Sequence, residues 1–198
     1  MLTLVVLVPS IILHEVSHGV AALGFGDDTA KRAGRITLNP VSHIDPFGTV
    51  LLPLLMAAFG GPAFGYAKPV PINPSRMRNP RNDAVWVSLA GPATNIVLAI
   101  LAAVALRTWA PTDGSATAVQ LLLYLGVMNA FLAAFNLLPI PPLDGSAVVG
   151  RLLPRSMQMG WMKVQQYGMA ILIVVIFLLP QLLRPVFDHA LDLWYRLL

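Results

Sequence analysis

The chain has 198 residues, of which 57% are hydrophobic and 11% charged, with a mean hydropathy of +0.72. Soluble domains carry about 25% charged residues, so this composition excludes an ordinary soluble protein and predicts an integral membrane protein, one domain over residues 1–198. The net charge of +4 is too small to suggest nucleic-acid binding, and the absence of cysteine excludes disulfides and cysteine-rich zinc sites.

Residues 2–23 form an apolar run long enough to span a membrane, and His14-Glu15-Val16-Ser17-His18 lies inside it. Ionisable side chains are costly at membrane depth, so this cluster predicts a functional site rather than a chance pattern on a soluble helix. His14 and His18 are four residues apart and therefore share one helix face. Two such imidazoles can bind one metal ion while Glu15 activates a water molecule, as in the H-E-x-x-H pattern of zinc hydrolases.

The segment after the first span is predicted to leave the membrane and to contain three different structures in succession. Residues 35–39 alternate as a strand does and precede a proline, which predicts a small β-hairpin whose edge could hold an extended peptide. Residues 47–64 are apolar but interrupted by prolines and glycines, which favours a re-entrant or short membrane-embedded segment. Residues 68–81 are rich in Pro, Asn and Arg and predict an extended polar loop.

Further apolar runs at residues 84–109, 118–138 and 164–183 predict three more spans, and the tail is amphipathic. The third predicted span ends in a stretch with three prolines, and broken backbone at membrane depth is tolerated where it lines a watery cavity. The predicted fold class is therefore an all-α polytopic membrane protein. It has about four transmembrane helices, a re-entrant or short membrane-embedded segment and a small β-hairpin.

The placement of basic residues predicts an orientation. Lys and Arg cluster at residues 31–35, 68–81 and 151–163, whereas the link at 110–116 has none. The positive-inside rule puts the three clusters in the cytoplasm, provided that residues 47–64 do not cross fully. The histidine pair then lies in the cytoplasmic half of the first span.

A catalytic zinc site usually has three protein ligands, so a third ligand must come from elsewhere in the chain. Asp144 is favoured, because the unwound backbone after the prolines could turn its carboxylate towards the first helix. The other candidates are His43, Asp45, Asp83 and His189. A hydrogen bond within its own turn is the alternative role for His43, and the sequence leaves that choice open.

Two asparagines in the predicted spans, Asn95 and Asn136, also have two interpretations. Asparagine in a membrane helix often forms hydrogen bonds between helices. It can equally hold the backbone of a substrate or a developing oxyanion.

Four motifs resemble, in their order along the chain, the site-2 protease family of intramembrane zinc metalloproteases. They are His14-Glu15-x-x-His18, Asn39-Pro40-x-x-His43, Gly91-Pro92-x-x-Asn95, and Asn136-x-x-Pro139 leading to Leu143-Asp144-Gly145. The resemblance covers residues 10–150 and is to the compact subgroup without a PDZ or nucleotide-sensing domain.

The resemblance implies a zinc metalloendopeptidase that hydrolyses peptide bonds in or near the transmembrane segments of membrane proteins. It implies His14, His18 and Asp144 as ligands of one Zn²⁺ ion. It also implies Glu15 as the catalytic base and Asn136 as a support for the transition state, and we expect Asn95 to contact the substrate.

The expected partners are a transmembrane protein or peptide substrate and the lipid bilayer, and the expected location is a bacterial plasma membrane. One alternative is a non-proteolytic metal-binding membrane protein. A transporter of that kind would need more ionisable groups along a path through the bilayer. The other alternative is an inactive homologue that binds membrane proteins, and the intact Glu15 argues against it.

Overall fold

The computed structural model describes residues 2–51, 54, 58, 66–109 and 116–198, and the regular elements among these residues are helical. The helices are α1 (Leu2–Gly24), α2 (Thr29–Arg32), α3 (Pro80–Trp109), α4 (Ala116–Asn136), α5 (Gly145–Leu152), α6 (Gln158–Gln166), α7 (Gly168–Leu178) and α8 (Pro180–Tyr195). Short 3-10 turns lie at Pro40–His43, Pro74–Arg76 and Arg155–Met157, and a π-helical turn at Pro46–Leu51. The predicted all-α class is confirmed.

Three of these helices, α1, α3 and α4, are long and apolar enough to cross a membrane. They match the predicted spans at residues 2–23, 84–109 and 118–138 to within a few residues, which is the usual uncertainty of helix ends. Most of the predicted re-entrant segment at residues 47–64 lies outside the described part of the chain.

The fourth predicted span, residues 164–183, is not one continuous helix in the structure. The chain bends by 64° at the junction before Gly168, and α8 begins a new helix at Pro180. Proline cannot continue the hydrogen bonding of a preceding helix, which accounts for the second break. At the first break, a Cβ on Gly168 would lie 2.8 Å from the Cβ of Pro141, so glycine allows α7 to contact the proline-rich turn before α5. Three helices, or four if the bent pair crosses as one unit, can therefore span the membrane.

The predicted β-hairpin at residues 35–39 is also wrong, since no strand occurs in the part of the chain that the structure describes. Side chains satisfy the polar backbone here instead of a neighbouring strand. The Thr37 carbonyl lies 2.9 Å from His43 Nε2, and the Asn39 side chain accepts the Val41 N–H at the start of a 3-10 turn. Strand-like alternation in the sequence does not supply a neighbouring strand to pair with. Here the backbone groups that a β-sheet would hydrogen-bond are bonded by side chains of a turn instead.

The core bundle consists of α1, α3 and α4, with α3 packed against both of the others. Small residues line the contacts, among them Ala22 facing Val87, and small residues allow membrane helices to approach closely. Helix α8 returns to this bundle through Trp194, which is buried and donates its Nε1–H to the Ala99 carbonyl at 2.9 Å. Because a Cβ on Gly126 would overlap the Trp194 ring, α4 has a glycine at this contact.

An extended segment, residues 66–73, precedes α3 and is held at both ends. The Arg35 guanidinium donates to the Lys68 carbonyl at 2.6 Å, and the Asp27 carboxylate accepts the N–H groups of Asn73 and Thr29. Burial raises the pKa of the Asp27 carboxyl, but hydrogen bonds from Thr29 and Asn73 outweigh burial and keep the pKa below its usual value. These contacts bring residues 66–73 alongside α1, close to the histidine pair.

Candidate metal centre

His14 and His18 lie buried on the same face of α1, and their Nε2 atoms are 3.1 Å apart. The other ring nitrogen of each is bonded to a neighbouring helix. His14 Nδ1 lies 2.6 Å from Asn95 Oδ1, and His18 Nδ1 lies 2.7 Å from the Val87 carbonyl. An oxygen that can only accept requires Nδ1 to carry the proton, so each Nε2 keeps its lone pair. This is the arrangement by which metal-binding histidines are oriented.

Asp144 completes a cluster of three possible ligands with His14 and His18. Its Oδ2 is 3.2 Å from Nε2 of His14 and 3.4 Å from Nε2 of His18, and the three ligand atoms lie within 4.8 Å of one another. This Oδ2 is buried and has no hydrogen-bond partner among the described residues. Two nitrogen lone pairs and an unpaired carboxylate oxygen therefore converge on one point, which is a donor set that fits a zinc ion.

Gly91 of α3 leaves the space that the two imidazole rings occupy. A Cβ at this position would lie 2.5 Å from His18 Nε2 and 2.5 Å from His14 Cε1. Any side chain here would displace the atoms that face the cluster. The glycine of the Gly-Pro-x-x-Asn segment is therefore required because only glycine leaves room for the two histidine rings.

A chain of hydrogen bonds continues from His14 through three helices. Asn95 is buried and donates its amide to Asn129 Oδ1 at 2.8 Å, and Asn129 donates in turn to Ser10 Oγ at 2.9 Å. Ser10 then donates to the Val6 carbonyl. Each side chain in this chain of bonds is held by the next, which fixes the orientation of the His14 ring.

These contacts bear on the interpretation of Asn95 and reveal residues that the sequence did not. Asn95 is fully buried and bonds to His14 and Asn129, which favours the bonding between helices over contact with a substrate. Its role in substrate binding stays a prediction. Asn129 and Ser10 were missed, and the available signal was an asparagine in the middle of the apolar residues of α4.

Glu15, the only glutamate in the chain, lies beside the cluster in a cavity of about 420 Å³. Its Oε2 accepts the backbone N–H of Val70, in the extended segment, at 3.0 Å. The same cavity is lined by Asn136, whose amide donates to the Leu132 carbonyl. Asn136 thus faces the space next to the cluster, and its predicted part in the reaction is considered below.

The other predicted ligand candidates have different surroundings. His43 is buried at the Thr37 carbonyl, and Asp83 accepts the Asn79 N–H at the start of α3. Asp45 accepts the Gly48 N–H, and His189 lines a separate apolar cavity between α3, α4 and α8. None of the four belongs to the group that the structure brings together from its described residues, which is His14, His18 and Asp144.

Comparison with known proteins agrees with this geometry. The family model described as "Peptidase family M50" matches residues 2–116 and 110–179. The chain is 37% identical over 182 residues to "Putative zinc metalloprotease YwhC" of Bacillus subtilis, covering 89% of this chain and 80% of the relative. It is 34% identical over 180 residues to "Putative zinc metalloprotease Rip2" of Mycolicibacterium smegmatis, covering 90% and 67%. No solved structure gives a significant match.

Proposed function

The chain belongs to peptidase family M50 and is a zinc-dependent intramembrane metalloendopeptidase, and we propose that His14, His18 and Asp144 hold its single zinc ion. The observation that carries the assignment is the convergence of two Nε2 lone pairs and a buried, unpaired carboxylate oxygen on one point. Residues 1–198 act in this proposal as one membrane-embedded domain.

The reaction is hydrolysis of a peptide bond, and each nearby residue has a distinct part in it. Zinc, when bound, supplies Lewis acidity that polarises the scissile carbonyl and lowers the pKa of water to about 7. Glu15 accepts the proton of the attacking water and delivers it to the leaving amide nitrogen. The Val70 N–H holds Oε2 of Glu15, which leaves Oε1 for this proton transfer. Asn136, in the wall of the same cavity, supports the developing oxyanion.

The proposed substrates are transmembrane segments of membrane proteins, entering from the cytoplasmic side of a bacterial plasma membrane. Contacts between the basic clusters support this orientation. Asp28 pairs with both Arg32 and Arg76, and Arg81 donates to the carbonyl of Arg151. All three clusters therefore meet at one end of the bundle, as the positive-inside rule requires of a cytoplasmic face.

The test compares cleavage and zinc content in purified variants. Glu15→Gln should keep one zinc per chain and lose cleavage of a transmembrane substrate, because glutamine cannot accept the proton. Asp144→Asn should lower the zinc content, because the neutral amide is a poor ligand. Cleavage by Glu15→Gln at the wild-type rate would refute the base, and full zinc in Asp144→Asn would refute the third ligand. A wild-type protein that binds zinc and cleaves nothing would favour the non-proteolytic alternative.

A further inference from the structure

The extended segment at residues 66–73 contains a stretch that its sequence makes stiff, Lys68-Pro69-Val70-Pro71, which we call the proline segment. Each proline fixes its own φ angle, and a residue before proline is restricted to extended backbone. Because all four residues are restricted in this way, a shift of the backbone at Lys68 is carried on to Val70. The Val70 N–H is the group that donates to Oε2 of Glu15, at 3.0 Å.

The backbone of Lys68 is held on both sides by residues 35–43. Nη2 of the Arg35 guanidinium donates to the Lys68 carbonyl at 2.6 Å, and the Lys68 N–H donates to the His43 carbonyl at 3.0 Å. The side chain of Lys68 is exposed. The position of Lys68 therefore depends on contacts of its backbone, and Arg35 supplies one of them with its side chain.

Arg35 makes this contact from a buried position that is costly for an arginine. The residue is 7% exposed, and its Nε is buried without a hydrogen-bond partner among the described residues. A buried donor that is left unbonded costs free energy, and an apolar side chain would avoid that cost. The arginine therefore indicates that the bond to the Lys68 carbonyl is itself required.

We propose that Arg35 is a positioning residue for the catalytic base Glu15, acting through the backbone of residues 68–70. The inference rests on the proposed role of Glu15 as the base. Arg35 fixes the Lys68 carbonyl, and the proline segment carries that position to Val70. The Val70 N–H then holds Oε2 of Glu15, which leaves Oε1 for proton transfer. Arg35 is not one of the described residues that line the cavity beside the metal centre, so its loss should affect kcat rather than KM.

The test measures kcat, KM and zinc content of the purified protein with a transmembrane reporter as the substrate. Arg35→Met keeps an unbranched side chain without donors and should lower kcat by about 3- to 10-fold, the range expected for the loss of one hydrogen bond. KM and zinc per chain should stay at the wild-type values. Arg35→Gln, which is shorter but polar, should give the same result. Arg35→Lys keeps a donor for the Lys68 carbonyl and should recover most of the lost kcat.

Arg81→Met is the matched control. Nη2 of Arg81 also donates to a backbone carbonyl at 2.6 Å, that of Leu153, and its Nε is likewise buried and unpaired within the described part of the chain. These bonds hold the end of α5 instead of the proline segment. Arg81→Met should therefore leave kcat per bound zinc at the wild-type value, and a loss equal to that of Arg35→Met would overturn the proposal.

A double-mutant cycle separates positioning from a general loss of folded protein. Val70→Pro removes the N–H through which Arg35 acts, so Arg35→Met should cause little further loss of kcat in that background. A loss by the same factor in both backgrounds would overturn the proposal, and so would a wild-type kcat in either single variant. Cleavage by Glu15→Gln at the wild-type rate would instead refute the base itself, so the two failures are distinguishable.

Discussion

The hydrogen bond from the Val70 N–H to Glu15 gives a sharp test of how the catalytic base is positioned. Val70 lies between Pro69 and Pro71, so its N–H is the only backbone donor among these three residues. A residue before proline favours extended backbone, whose φ range includes that of proline. Val70→Pro should therefore keep the path of the segment while removing the donor to Oε2.

The expected loss follows from the strength of such a bond. Hydrogen bonds to charged groups contribute about 1.5–3 kcal/mol. If this energy serves to hold Glu15 where it accepts the proton, removal of the bond should lower kcat by about 10- to 100-fold, since about 1.4 kcal/mol corresponds to a tenfold change in rate. KM should change little, because the bond does not involve the substrate.

The assay is cleavage of a transmembrane reporter by purified protein, with zinc per chain measured in the same samples. Val70→Ala is the matched control, because it keeps the N–H and removes only the side chain, which contacts α1 near Gly19. If Val70→Pro retains zinc and its kcat equals that of Val70→Ala, the N–H does not position Glu15. A drop in zinc content would show that the proline disturbed the metal centre instead.

Three further predictions concern the surroundings of the site. Gly91→Ala should lower the zinc content, because its Cβ would lie 2.5 Å from His18 Nε2. Gly24→Ala is the control and should retain the metal, because Gly24 has open space around it. Equal zinc content in both variants would contradict the steric argument. Asn95→Leu removes the hydrogen-bond partner of His14 Nδ1 and should weaken zinc affinity by about 10- to 100-fold in a chelator competition, the usual effect of losing an outer-shell partner. Unchanged affinity would show that this bond does not orient the metal site. Asp27, with its lowered pKa, contributes stability that is present above the unfolded-state pKa of about 3.9 and is lost as the pH falls through the lower folded-state pKa. The melting temperature of the wild type should therefore fall more steeply below about pH 4 than that of Asp27→Asn. Melting temperatures that fall in parallel would argue against this contribution.

The parts of the molecule that the sequence predicted are those set by local pattern. Apolar length located α1, α3 and α4, and the four-residue spacing placed both histidines on one face. Asp144 was singled out because prolines break the backbone before it, and the structure brings its carboxylate to the histidines. The resemblance to a known family pointed to the same residues.

The parts that were wrong or missed depend on partners distant in the sequence. Alternation at residues 35–39 predicted a strand, but a strand requires a pairing neighbour, and side chains bonded that backbone instead. The apolar run at residues 164–183 did not reveal the bend before Gly168, where α7 contacts Pro141. Asn129 belongs to no short motif, and only the folded bundle shows that it connects Asn95 to Ser10.

The separation of the cluster along the chain has a consequence for the newly made protein. His14, Glu15 and His18 are synthesised first, within α1, whereas Asp144 follows only after α3 and α4 have been made. Under the proposed ligand set, a nascent chain exposes its base and half-formed metal site to the insertion machinery without being able to cut. On that ligand set, proteolytic competence arises only once the helix bundle has assembled.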